Sequence, residues 1–201
     1  MPQAPVEFKD VIVEPRYDTA SAVSGTTLLS MFQLPIGQGV GAFGAVGAAK
    51  TLADTNMDLP GQLPAGYSFR IMGFRLAFPW NTILADFSTV LNGCVFQFLV
   101  GSKPFVTLPA RNIPGGNGPF GQVGIAAAAA AVAPLLNNGW PTMANSFSTV
   151  TKPLDLKATE NFKVSLIWPG TAPTIAGTGF IPTPGLPITV YLDGFLFRPV
   201  Q

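Results

Sequence analysis

The stretch Tyr67-Ser68-Phe69-Arg70-Ile71-Met72-Gly73-Phe74-Arg75-Leu76-Ala77-Phe78 decides the fold class. Tyr67, Phe69 and Ile71 alternate with their neighbours and so share one face of an extended chain, in which successive side chains point to opposite sides. After Met72-Gly73 a second alternating series, Phe74, Leu76 and Phe78, runs one residue out of phase with the first. One extra residue in a strand produces such a slip, and glycine tolerates the backbone it requires. The spacing therefore predicts a strand carrying a β-bulge at Gly73.

Outward from this strand the same signature recurs between turn residues. It appears over Val6 to Val13, Thr26 to Leu34, Thr51 to Leu59 (closed by Pro60-Gly61), Cys94 to Val100, Phe105 to Leu108, Ser146 to Val150, Leu154 to Lys157, Phe162 to Trp168 and Ile188 to Phe197. Within the last of these, Asp193-Gly194 reads as a hairpin turn or a bulge. Helix is slight. Asn81 to Leu91 places Ile83, Leu84, Phe87 and Leu91 on one stripe, and Ala126 to Ala131 has room for one or two turns before Pro134. Neither alternates with strands in a βαβ rhythm. The expected architecture is all-β: an antiparallel β-sandwich of about 8–10 strands with long loops rich in Gly, Pro and Ala. Residues 1–201 read as one domain, with 1–25 as an extended N-terminal arm.

Composition narrows the chemistry. Lysine and arginine number 11 and aspartate and glutamate 10, only 10 % of the chain, against 48 % hydrophobic residues and a mean hydropathy of +0.39. With no histidine, neither a Ser-His-Asp nor a Cys-His relay can be built. Cys94 stands alone in an apolar setting and reads as a buried, inert thiol. The basic residues are scattered singly at a net charge of +1, so sequence-specific nucleic-acid binding is not expected. Residues 1–7 have neither a basic start nor an apolar core, which predicts manufacture in the cytoplasm without an export signal. Val123 to Leu136 is the longest uncharged apolar stretch, but its 14 residues are too few to span a bilayer as a helix.

Motif matches are weak. Gly39-Val40-Gly41-Ala42-Phe43-Gly44 fits a dinucleotide fingerprint in letters only. Pro35 interrupts the approach, Gly47 falls where the helix should run, and Asp54 and Asp58 come too early, so a Gly/Ala loop is the better reading. The ten carboxylates show no spacing that argues for a catalytic pair, and Asp54 and Asp58 sit where acids cap turns. Aromatic residues are mostly phenylalanine, 16 against 3 Trp and 3 Tyr, which favours core and buried interface over ligand stacking. Trp140 and Trp168 precede prolines and Trp80 follows one, suiting them to anchor loop ends. No cofactor, metal or enzymatic activity is expected.

Charge is missing chiefly from three connections, Gly37 to Ala49, Pro109 to Asn145 and Gly170 to Pro187, where Arg111 is the single ionisable residue. Ordinary solvated loops are polar; apolar loops this long imply neighbours.

Several runs resemble jelly-roll capsid proteins of icosahedral bacterial viruses. They are Asp54-Thr55-Asn56-Met57-Asp58-Leu59-Pro60-Gly61-Gln62-Leu63-Pro64-Ala65 leading into Tyr67-Ser68-Phe69, Val100-Gly101-Ser102-Lys103-Pro104-Phe105 with Ile113-Pro114-Gly115-Gly116 after it, Glu160-Asn161-Phe162-Lys163-Val164, and the close from Leu192 to Gln201. The resemblance spans about Thr51 to Gln201 and rests on turns and strand edges. It implies a virion protein: a shell subunit with a single jelly-roll-like sandwich, since 201 residues leave little room for two. Its partners would be copies of itself, other capsid proteins and an internal lipid membrane. Ile125, Ala128, Val132, Leu135 and Leu136 then become the candidate assembly or membrane-facing loop. The alternative is a non-enzymatic β-sandwich binding module: a carbohydrate-binding, fibre or decoration domain.

Overall fold

Two antiparallel sheets face each other in the computed structural model, which describes residues 9–79, 82, 84–113, 147–148, 153–175 and 185–200. The larger sheet is organised around its longest strand, β10 (Leu186–Pro199). One side of β10 pairs with β4 (Ser68–Ala77). The other side pairs with β2 (Arg16–Ala22) along its first half and β1 (Lys9–Val13) along its second. β7 (Phe147–Ser148) and β8 (Leu154–Lys157) pair with successive parts of β4. Taking each interrupted pair as one line, this sheet is four lines wide: β1/β2, β10, β4, β7/β8. The smaller sheet runs β3 (Leu28–Met31), β9 (Phe162–Ile167), β5 (Val95–Val100), β6 (Lys103–Pro109).

The sandwich expectation thus meets a fold of two sheets with ten strands and one helix among the described residues. Within the stretch read as an arm, residues 9–13 and 16–22 are sheet strands, because Ile12, Ala20 and Ala22 supply apolar side chains toward the core. The strand expected over Thr51 to Leu59 is not formed. The Asp54 and Thr55 N–H groups both bond the Thr51 carbonyl and curl the chain, leaving isolated bridges at Thr55 and Leu59. The helix, α1 (Leu84–Gly93), starts and ends later than its apolar stripe implied. Thr82 closes a turn on the Pro79 carbonyl ahead of it, and Phe87 and Val90 are buried.

Phenylalanine joins the sheets. The Phe74 ring on β4 lies 5.4 Å from Phe96 and 5.2 Å from Phe98 on β5, and Phe162 on β9 meets Phe32 at 5.6 Å. Each such buried ring contributes roughly 1.5–3 kcal/mol relative to exposure. The phase slip at Gly73 has its physical counterpart here. Gly73 pairs with Asp193 and Ile71 with Gly194, so Met72 is the extra residue and the bulge lies one position before the glycine. Asp193-Gly194 is the point opposite that bulge within a continuous strand. A Cβ on Gly194 would be driven into the carbonyl of Arg70, so the close approach of β4 and β10 needs glycine there.

Candidate functional site

The connection from β3 to β4, residues 32–67, is the longest described segment without a named strand or helix, and a loop of that length in a packed domain usually carries function. It is ordered by its own backbone. Ile36 N–H bonds Met57 O, Gly37 N–H bonds Lys50 O, Lys50 N–H bonds Gln38 O and Gly41 N–H bonds Ala48 O, making a finger over residues 36–50 with its tip near 42–47. Asp54, fully buried, staples the tip. Its Oδ1 accepts the N–H groups of Ala42 (2.7 Å) and Phe43 (2.8 Å), and its Oδ2 accepts those of Thr51 N–H and Oγ1–H. The Gly39-to-Gly44 run is therefore a loop, as its context suggested, and its N–H groups are turned to a carboxylate of the same chain. Gly41 is needed for that approach, since a Cβ there would lie 2.8 Å from Asp54 Oδ2.

Lys50 ends the charge-free run and is buried. Its Nζ sits 2.6 Å from Oδ1 of Asp18, a residue on the core-facing side of β2 opposite Val190. Asp18 Oδ2 also accepts the N–H of Phe32 at 2.6 Å. Burial pushes the Asp18 carboxyl above the ordinary carboxylate range, against the opposing pull of Lys50 and the Phe32 N–H. Nearby, Arg16 Nη1 donates to the Asn56 carbonyl at 3.0 Å, closing the same end of the sandwich.

What the finger and its flanks leave exposed is apolar: Leu34, Ile36, Val40 (59 % exposed), Val46 (70 %), Leu52 and Leu59. A second apolar set lies on the side of the larger sheet away from the core. There Val11 (57 %) and Val13 (63 %) stand across from Phe197 and Phe195. Alternation predicts polar residues at such outward positions, so the valines mark a face that is not built for water alone.

The same outer face holds a groove of about 560 Å³ that gathers Lys9, Arg70 and Lys157 from β1, β4 and β8, with Tyr67, Phe197 and Asp155. Arg70 grips Asp155 through two bonds, Nε to Oδ1 at 2.7 Å and Nη2 to Oδ2 at 3.0 Å. The bond from Arg70 holds the Asp155 carboxyl below its ordinary value and the guanidinium above its own. Further along, Arg75 pairs with Asp193 in a buried site, stacked 4.5 Å over the Tyr191 ring. Burial raises the Tyr191 and Tyr17 hydroxyls.

The remaining candidates fall as follows. Ile125, Ala128, Val132, Leu135 and Leu136 lie outside the described residues, as does Trp140. Cys94 is buried, and desolvation pushes its thiol to about 12. Trp168 is buried at a loop end, its N–H donating to Thr27 O. Asp18 and Asp193 are engaged by cations and Asp54 by backbone N–H groups. Among the described residues no three metal-ligating side chains cluster, and no helix is long and apolar enough to cross a membrane. Sequence reasoning missed the Lys50–Asp18 pair and the convergence of Lys9, Arg70 and Lys157. The only signal for the first was a lone lysine ending an uncharged run. No protein-family model matches the chain, and no curated protein or solved structure is detectably similar to it.

Proposed function

We propose that the chain is a structural, non-enzymatic subunit that assembles with copies of itself into a closed shell, an icosahedral capsid protein of the single jelly-roll type. The strand order supports the fold part of this reading. With the interrupted strands merged, lines one to eight in chain order stand as 1-8-3-6 in the larger sheet and 2-7-4-5 in the smaller. Strands 1 and 2, 8 and 7, 3 and 4, and 6 and 5 then occupy matching positions, the nesting that two Greek keys wound into a jelly roll produce.

The observation that carries the functional part is the finger: a long connection, ordered by buried carboxylates, that turns Val40 and Val46 outward. Burying such side chains between copies contributes roughly 25 cal/mol per Å², and repeated contacts between unlike surfaces close into rings or shells when the rotation permits. Negative-stain imaging of the purified chain over a range of concentrations tests the proposal. Shells or large rings are expected, and they should persist from low to moderate salt because few charges are involved. A monodisperse monomer at every concentration contradicts it. The groove at Lys9, Arg70 and Lys157 favours the second reading, a binding module, and a monomer that takes up a ligand there would establish that reading instead.

A further inference from the structure

Asp18 touches both roots of the finger. Its Oδ2 holds the N–H of Phe32, the first residue after β3, and its Oδ1 holds Lys50, the last residue of the finger. Phe32 is the one non-glycine residue among those described with a left-handed backbone, φ 68°, so the chain leaves β3 through a conformation that needs outside support. The Asp18 carboxylate supplies it. Lys50 answers at the other root. Both partners are buried, and neither Gly37 to Ala49 nor the tip contains another charged side chain.

A buried ion pair contributes little net stability, because desolvating two ions offsets their attraction, but it is effective at fixing register. The finger has one position in which its only cation meets the buried carboxylate. Slipping it by a residue would leave two uncompensated buried charges. The second buried carboxylate, Asp54, holds the tip and Thr51 to each other through local bonds. The finger is thus internally stapled by Asp54 and attached to the sheets through Asp18.

We infer that Asp18 and Lys50 form a latch: residues 36–50 open and close as a unit separate from the two sheets, and the closed latch sets the arrangement in which Val40 and Val46 are presented to a second copy. The latch stands on the geometry alone. Its part in assembly rests on the self-assembly reading above, and the two can fail separately.

Native-state hydrogen exchange read by mass spectrometry on the whole chain tests the latch in the wild type. Amides of residues 36–50 should exchange through a partial opening that depends weakly on denaturant, while those of β4, β5, β9 and β10 exchange only with global unfolding. One common opening for finger and strands overturns it. In Asp18→Asn and in Lys50→Met the finger amides should exchange at least tenfold faster with the strand amides unchanged, and the double variant should recover part of that loss. Unchanged finger exchange in both single variants overturns the latch. Sedimentation of Asp18→Asn reads the second step: assembly should need at least tenfold more protein. Faster finger exchange with unaltered assembly overturns the latch's role in presentation, and a wild type that never assembles overturns the self-assembly reading while leaving the latch standing.

Discussion

The larger sheet and the finger each contain one buried ion pair, and the two are built differently. Arg75 and Asp193 both stand on strands, β4 and β10, held in place by ladder hydrogen bonds whether or not the charges meet. Gly73, directly opposite Asp193, offers no side chain, so the guanidinium reaches the carboxylate on the diagonal and lies over Tyr191. Lys50 and Asp18 join a loop to a strand, and the pair itself supplies much of the connection. The difference teaches where each charge acts. Inside the sheet a buried pair is locked by its surroundings, so losing one partner strands the other and costs the whole fold. In the finger it is a tether, so losing it frees a local segment.

The comparison can be broken most severely at Arg75. Arg75→Ala leaves the Asp193 carboxylate buried without its partner and should cost about 3–5 kcal/mol in global stability, measured by denaturant unfolding. A loss confined to local exchange near β4 would erase the distinction drawn between the pairs. Next comes Gly194→Ala, expected to cost about 3 kcal/mol because the new Cβ pushes on the Arg70 carbonyl where the two strands approach. Asp54→Ala should cost about 1–3 kcal/mol by stranding the N–H groups of Ala42, Phe43 and Thr51, with faster exchange concentrated in the finger.

Cys94 sharpens the comparison from the sheet side, because its thiol reports how dry the core is. Its folded value of about 12 lies above the ordinary 9.0, so the unfolded chain ionises first as pH rises. The contribution of Cys94 is complete below pH 9 and drains away between 9 and about 12, by about 1.4 kcal/mol per unit. Cys94→Ala should flatten the alkaline slope of stability, and the wild-type thiol should resist alkylating reagents until unfolding. The smallest effect belongs to Asp155. Its lowered value gives a contribution present above the ordinary carboxylate range and lost as pH falls through the folded value, and exposure screens it. Asp155→Asn should flatten the acid limb slightly.

How far the letters led follows the same division. Alternation located β4, β5, β8, β9 and β10, because one face of each strand packs on a core of repeating apolar side chains. Even the bulge was legible to within one residue, since a bulge shifts the phase of that repeat. The run Thr51 to Leu59 deceived because Asp54 prefers to bind nearby N–H groups, which curls the chain in a way no alternation rule registers. Lys50 and Asp18 meet across the finger without any shared pattern. Lys9, Arg70 and Lys157 come together only once three strands are in register. Strand identity is a local property and was readable; the site is a matter of which loops and edges meet, and was not.

Sedimentation velocity of the wild type beside the Val40→Asp, Val46→Asp double variant tests most directly whether the ordered apolar finger drives assembly. The wild type should sediment as large species that grow with concentration, and the variant, with two charges placed on the exposed side chains and the core untouched, as a monomer. Equal assembly of both chains, or a wild type that stays monomeric throughout, would contradict that claim.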